Sequence, residues 1–522
     1  MQLHWLDITT LVAYMGILVA MGIYFSRKNT STEEYFVGGR SFSGWIIGLS
    51  MVGTSISSVT FLAFPADAFK TAWLRILPGF TLPLIIIIAA IFFLPFYRRT
   101  RIISAYEYLE KRFGPSVRTY GAVTFMVGQL VRISMILYLL SLLMHEITGL
   151  DPLVSILVAG LFVALYTIIG GINAVIWTDV LQTIMLVLGG VFCLSVIIYE
   201  LPGGFSQIIE IASRDGKMTF ADWQDGKVLP VSWGFSFSEK TALMMFFVGM
   251  TEWLQEYTSN QNVIQRYAAA KSTREARKAM FVSFSNVPIW AFYFFLGTAL
   301  YSFFQVFPTQ ESGEMLNGVR KAEQVLPYFI VNYLPPGIAG LVIAAAAAAA
   351  MSSLDSSINA ISTIGVNDIY RRLWVKDRDD KHYLNTAWKL ATAASIVMIS
   401  GAFILSQTET KTLQDTGVIL ISLLMGGVTG LYMIGFLTKV GDERTAWVGI
   451  ILTFTFSLWT ILSGQGVLPE WVSAPFDLYY TGFIGNIVMF AAIFATASLI
   501  SRRKRDLTNL TVWTEDGKKL DN

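Results

Sequence analysis

The sequence predicts an all-α membrane protein, and three observations carry that reading. Of 522 residues, 54% are apolar, about 280 side chains. Only 14% are charged, against about 25% in an ordinary soluble domain. The apolar residues come in long continuous runs without the period-two alternation of a barrel strand. A helical crossing consumes about 20 such residues, so the chain is mostly membrane and fills on the order of a dozen spans.

Windowed hydropathy places thirteen. The first, 7–26, opens on Leu6-Asp7 with no basic segment ahead of it and no small-residue cleavage site, so it is expected to stay in place. The second, 44–66, has a polar centre from Gly53 to Ser58 and Pro65 near its end. The third is 73–96, the fourth (119–147) carries Arg132, and the fifth is 151–170. The sixth, 174–199, carries Asp179 and the single cysteine, Cys193. The seventh, 242–264, closes on the polar run Thr251 to Gln261. Then follow 279–305, a ninth span at 338–369 with seven alanines from Ala344 to Ala350, and spans at 384–406, 413–438, 446–463 and 478–501.

Lys and Arg test this count, because cytoplasmic loops hold most of them. With thirteen spans and an outside N-terminus, 28 of the 38 basic residues fall on the inside, in groups such as Arg98, Arg99, Arg101, Lys111, Arg112 and Arg118, or Arg266, Lys271, Arg274, Arg277 and Lys278. The loop at about 200–240 falls outside. Residues 1–505 then form a single membrane domain, and 506–522 a cytoplasmic tail too short to be a catalytic or signalling unit. The expected location is a cell membrane, inner or plasma.

Charges at membrane depth need a partner or a water-filled cavity and mark function. Arg132 lies about a dozen residues into its helix, roughly 18 Å, too deep for easy snorkelling; it faces either a solute or backbone carbonyls between helices. Asp179 reads as a functional carboxylate or as an interfacial cap. In the ninth span Ser352, Asp355, Ser356, Asn359 and Thr363 recur on one helical face. Two carboxylates and several hydroxyls at similar depth suit a hard cation such as Na⁺, while a seam of small residues with back-bonded serines explains the same pattern. Gly53 to Ser58 would let the second span break and turn carbonyls toward an ion, which is tolerated only beside a cavity; a close helix contact explains the glycines too. Polar interruptions in spans two and seven, five helices apart, predict inverted repeats at about 44–199 and 242–438.

These residues resemble the sodium:solute symporters, which include glucose, proline, iodide and bacterial sialic acid transporters. The resemblance is carried by Tyr35-Phe36-Val37-Gly38-Gly39-Arg40, by Gly170-Gly171 with Ile176-Trp177-Thr178-Asp179, by Gln261 with Gln265-Arg266-Tyr267, and by Ser352-Ser353 leading to Asn367-Asp368-Ile369-Tyr370. It implies the leucine-transporter fold of two inverted five-helix repeats, with Na⁺ as the coupling ion. The main sodium site would use the carbonyls of Gly53, Ile56 and Ala349 and the hydroxyls of Ser352 and Ser353. A second would use Asp179, Ser356 and Ser352 with Asp355, where the sialic acid type has serine. For the solute it implies Ser57, Thr60 and Arg132, the guanidinium meeting a carboxylate. The match breaks at Arg75 and Gly79, where that type has phenylalanine and glutamine, and at Glu252 and Trp253. Arg75, Trp253 and Gln255 are further candidates for the solute pocket.

The function expected is sodium-coupled import of a small organic solute by alternating access, with a sugar acid or other carboxylate favoured and a neutral sugar as the alternative. A transporter-fold nutrient sensor is a remote third reading, since it needs an output domain. An enzyme is not expected: the spans show no nucleophile–base pair and no phosphate-binding glycine loop. Scattered histidines, one cysteine and a net charge of +2 give no support to transition-metal, redox or nucleic-acid chemistry. The partners expected are the solute and the bilayer.

Overall fold

A computed structural model describes residues 4–514 apart from 28, 100–101, 225–226, 408–425 and 501–505. The first span is Trp5–Ser26. Its Asp7 is buried and accepts the amide N–H groups of Gly337 and Gly340 at 2.6 and 2.8 Å. It thus places a carboxylate where the helix Ile338–Ile364 begins, the end that favours negative charge.

The second span is broken. Gly44–Ser55 and Val59–Lys70 meet at 62°, and Ile56 between them is extended, with φ −94° and ψ 115°. The break is narrower than the polar run that predicted it, and the second half continues to Lys70 rather than stopping at 66. The third span is Leu74–Arg99. The fourth, Pro115–Thr148, starts on a proline and ends at Gly149 with φ 72°, the left-handed cap that favours glycine.

Spans five and six form one helical stretch, Pro152–Glu200, interrupted at Gly171 (φ 57°, ψ −162°). A straight helix of that length would run about 74 Å, more than twice the hydrocarbon thickness of about 30 Å. Only glycine suits Gly171, because a Cβ there would lie 2.7 Å from the Tyr35 ring. Span seven is Ala242–Ser259 followed, after extended Asn260, by Gln261–Ala269. Its interruption therefore lies at the end of the polar run, not within it.

Span eight is Thr273–Val306, nine is Ile338–Trp374 and ten is Asp380–Ser406. Of the eleventh, expected at 413–438, residues 413–425 lie outside the described residues, and Val428–Leu437 is helical. Glu443–Gly464 and Tyr480–Ile500 are the last two. Of the expected cytoplasmic charges, Lys28, Arg101, Arg502, Arg503, Lys504, Arg505, Lys518 and Lys519 lie outside the described residues, as does 515–522 of the tail. The described part of the tail folds back on span eleven, where the Trp513 indole donates to the Leu437 carbonyl.

The ninth span is the axis of the molecule. Its helix is buried on every side from Val342 to Ile364, so the polar stripe is one part of a fully wrapped helix. Alanines allow this, since span six comes so close that a Cβ on Gly189 would lie 2.8 Å from that of Ala345. The loop after span six, read from sequence only as an outside loop, holds the helix Gly204–Arg214 and an antiparallel hairpin, Ala221–Gln224 with Lys227–Pro230.

Candidate ion and solute sites

The break in span two lies against the middle of span nine. Ser352 Oγ is 2.9 Å from the Gly53 carbonyl, 3.5 Å from that of Ile56 and 3.2 Å from that of Ala349. Ser353 Oγ is buried with no hydrogen-bond partner. Three carbonyls therefore converge on one hydroxyl, more oxygen acceptors than its single proton can serve. This is the chemistry of a hard-cation site. Gly53 is also a close-packing residue, because a Cβ there would lie 2.5 Å from Thr183 Oγ1 and 2.8 Å from the Asp179 carbonyl. Both sequence explanations of that glycine hold together: proximity to span six positions the break.

One turn further along span nine the chemistry becomes ionic. Asp355 and Asp179 are both fully buried. Asp355 Oδ2 accepts from the Tyr166 hydroxyl at 2.9 Å and the Thr178 hydroxyl at 3.3 Å. Asp179 Oδ2 accepts from Ser50 at 2.6 Å and is ion-paired with Arg266 Nη2 at 2.6 Å. The same guanidinium nitrogen donates to Thr54 Oγ1 at 2.6 Å and to Ser356 Oγ at 2.8 Å. Asp179 Oδ1 is buried without a partner.

Two expectations change here. Arg266 was counted with the cytoplasmic loop charges, yet its side chain is 1% exposed; the short helix Gln261–Ala269 turns it inward. The second cluster was expected as an oxygen-only cage, yet it contains a guanidinium. Hydropathy cannot see this, because the polar run around residue 266 looks the same whether it meets water or buried carboxylates.

Arg132 sits half-buried. Its helical neighbours Phe125, Gly128, Gln129 and Ile136, at i−7, i−4, i−3 and i+4, are all buried, so it occupies the inward face. It makes no hydrogen bond or ion pair among the described residues, and its charge acts on Glu256, whose carboxylate is also held by Asn260 at 2.5 Å. Glu252, one turn before Glu256, is exposed although Met245, Val248, Gly249 and Ser259 at i−7, i−4, i−3 and i+7 are buried. Glu252 is thus accessible although it lies on a packed face. The sequence noted Glu252 only as a departure from the family pattern and missed Glu256.

Ser57 is half-buried at the break and Thr60 is buried on the turn after it. Trp253 stacks on Trp290 at 5.0 Å and donates to the Pro78 carbonyl at 3.0 Å, while Gln255 is half-buried. Arg75, at the start of span three, is elsewhere: it is 44% exposed and pairs at 3.1 Å with Asp67, which lies about two turns beyond Thr60 on the second half of span two.

Comparison with known proteins agrees with this geometry. The model of the sodium:solute symporter family matches residues 35–451. The sodium/sialic acid symporter SiaT of Proteus mirabilis is 32% identical over 97% of this chain and 98% of its own. NanT, the sodium/sialic acid symporter of Aliivibrio fischeri, is 30% identical over 95% and 93%. The human sodium-coupled monocarboxylate transporter 1 is 28% identical over 87% of this chain and 73% of its own. Among solved structures, a substrate-bound, outward-open Na⁺-coupled sialic acid symporter superposes with a TM-score of 0.85 at 30% identity, covering 96% of this chain and 99% of that one. Mhp1, a nucleobase-cation symporter, superposes at 0.55 with 14% identity over 92% and 98%, which shows the shared leucine-transporter fold. The break, the buried axis and these matches agree: the chain is a membrane transporter, not an enzyme, and belongs to the sodium:solute symporter family.

Proposed function

We propose that this protein imports a small carboxylate-bearing solute, a sugar acid of the sialic acid kind, coupled to Na⁺ by alternating access. The observation that carries the coupling is the meeting of the Gly53, Ile56 and Ala349 carbonyls with Ser352 Oγ; Ser353 Oγ, buried without a partner on the next residue, is the proposed further ligand. Na⁺ bound there ties the broken span to span nine, which orders Ser57 and Thr60. The solute then meets a site whose ordering cost is already met, and that is positive coupling. Each net positive charge moved inward gains about 2.3 kcal/mol per 100 mV. The proposed repeats are 44–199 and 242–438. The proposed setting is the inner or plasma membrane, with the N-terminus outside and the C-terminus in the cytoplasm.

A second Na⁺ fits beside Arg266. Two carboxylates face one guanidinium, and the remaining carboxylate is balanced either by a monovalent cation or by a proton on Asp355. Asp355, Ser356 and the free Asp179 Oδ1 are the proposed ligands of the cation. Arg132 is the proposed anchor for the solute carboxylate, with Ser57, Thr60, Trp253 and Gln255 around it. Arg75 is proposed to act further out, where its pairing with Asp67 makes it an entrance residue.

One observation favours the neutral-sugar reading. The Arg132 charge already faces Glu256, and Glu252 offers acceptors suited to sugar hydroxyls. The deciding experiment is a thermal-shift screen of the purified protein against sugar acids, monocarboxylates and neutral sugars, in Na⁺ and in choline. A transported solute stabilises more in Na⁺, by linkage. Arg132→Ala is expected to abolish the response to acids. A best ligand without negative charge that tolerates the substitution overturns the carboxylate assignment, and equal responses in choline overturn sodium coupling.

A further inference from the structure

Span one lies outside both proposed repeats, yet it is packed tightly at two points. A Cβ on Gly340 of span nine would collide with Thr10 Oγ1, and one on Gly22 would lie 2.8 Å from Tyr166 Cβ. Between these contacts span one carries Tyr14, which is 4% exposed. The Tyr14 hydroxyl lies beside the Gln182 amide, and the charges of Asp355 and Asp179 act on it. Gln182 follows Asp179 by three residues on span six and so shares its face; it is 2% exposed. Tyr166, which donates to Asp355 Oδ2 at 2.9 Å, lies beside Gln182 as well.

These neighbours do not satisfy one another. The Tyr14 hydroxyl, Gln182 Nε2, Gln182 Oε1 and Asp179 Oδ1 are buried, and none has a hydrogen-bond partner among the described residues. A buried polar atom without a partner is destabilising, so four of them beside two carboxylates point to a common partner that is not a protein group. Three of the four are oxygens. Arg266 meets Asp179 through Oδ2, so an ion on Oδ1 would have the carboxylate between itself and the guanidinium.

We propose that the second Na⁺ binds where spans one, six and nine meet, held by Asp179 Oδ1 and Asp355 together with Gln182 Oε1 and the Tyr14 hydroxyl. The inference rests on the second Na⁺ of the proposed function and names the residues that complete its shell. An all-oxygen donor set is what a hard cation takes. A water molecule would satisfy the hydroxyl and the amide but would bring no charge to the two carboxylates. Span one thereby gains a part in ion binding, which neither repeat supplies to it.

The test uses the purified full-length protein without solute, with Na⁺ titrated against choline at constant ionic strength. By linkage, the slope of the unfolding midpoint against the logarithm of Na⁺ concentration counts the bound ions. Gln182→Leu keeps the side chain's size and removes both amide atoms. It is expected to cut that slope to about half, with the midpoint in choline unchanged or raised because no buried amide is left without a partner. Tyr14→Phe should move the second ion to at least about threefold higher Na⁺, and it carries the test if Gln182→Leu fails to fold. Asp355→Asn is the control for the second ion itself. A one-ion slope in the unaltered protein, or a slope that Asp355→Asn leaves intact, overturns the second Na⁺ and this shell with it. A two-ion slope that Asp355→Asn lowers, but that Gln182→Leu and Tyr14→Phe leave unchanged, overturns the shell alone and assigns the four atoms to water.

Discussion

The second span ends twice, and its two ends are finished differently. The second half stops at Lys70, and the carbonyls of Phe69, Lys70 and Thr71 accept from the Lys217 ammonium at 2.8, 3.3 and 3.0 Å. That ammonium also lies 4.1 Å from the centre of the Tyr301 ring. The first half stops at Ser55, and among the described residues its Gly53 carbonyl and that of Ile56 meet only the Ser352 hydroxyl. A helix C-terminus exposes bare carbonyls and a partial negative charge, so a cation is its natural complement. The helix Val428–Leu437 repeats the pattern seen at Lys70. There buried Arg112 donates to the carbonyls of Gly435, Thr438, Val440 and Gly441 at 3.2, 3.2, 2.6 and 3.1 Å. Two of these three ends hold a cation tied to the chain, and the third holds a hydroxyl. The break is therefore the end suited to a cation that comes and goes.

The largest effect expected from this contrast is at Arg112. Arg112→Met strips four carbonyls of a charged donor, and hydrogen bonds to charged groups contribute about 1.5–3 kcal/mol each. Water reaching the loop returns part of that, so a loss of about 3 kcal/mol is expected, measured as a lower unfolding midpoint. The loss should be the same in Na⁺ and in choline, because this cation never leaves. A loss confined to one medium would mean that the fixed and exchangeable ends are coupled and that the contrast is false.

Ser352→Ala should behave the opposite way. The midpoint in choline should stay close to that of the unaltered protein, while half-saturation by Na⁺ rises at least about tenfold, or about 1.4 kcal/mol. An unchanged Na⁺ response would move the ion elsewhere. Asp355→Asn is the next test, and it bears on the ionic cluster alone. It removes the carboxylate proposed to hold the second Na⁺, so the steepness of the Na⁺ dependence should fall while half-saturation at the main site shifts less than about threefold. Persistent steepness would assign the cluster a purely structural role.

How far the sequence reached follows from the range of the forces involved. The spans were legible because hydrophobicity is additive along a helix. The break in span two was legible because glycine and hydroxyls in apolar surroundings are costly unless used, whereas its meeting with Ser352 was implied by the family resemblance. Asp179 and Asp355 were recognised as partners from their depth. Arg266 was misplaced because its burial depends on a turn at Asn260 that brings it to a carboxylate 87 residues away. Lys217 was invisible for the same reason: its three carbonyls lie 146 to 148 residues earlier, in a loop read only by its side of the membrane. Local pattern reports which residues need partners, and tertiary contact decides which partners they find.

The smallest expected effect, a pH dependence, asks what a cation at such an end costs. Burial pushes the Lys217 ammonium down to about 8 from its usual 10.5, with Asp215 opposing. The unfolded chain therefore holds a proton at Lys217 between pH 8 and 10.5 that the folded chain has released. Stability contributed by this group rises with pH across that window and is level below it. The midpoint difference between the unaltered protein and Lys217→Met, followed from pH 7 to 10, should be flat at first and then climb above pH 8. A falling difference would mean that the three carbonyls outweigh burial. The helix end alone would then hold a cation, and Na⁺ at the break would need Gly53 and Ile56 but little from Ser352 and Ser353. A climbing difference means that carbonyls alone do not repay burial. The extra hydroxyls from span nine are then what make the break a sodium site.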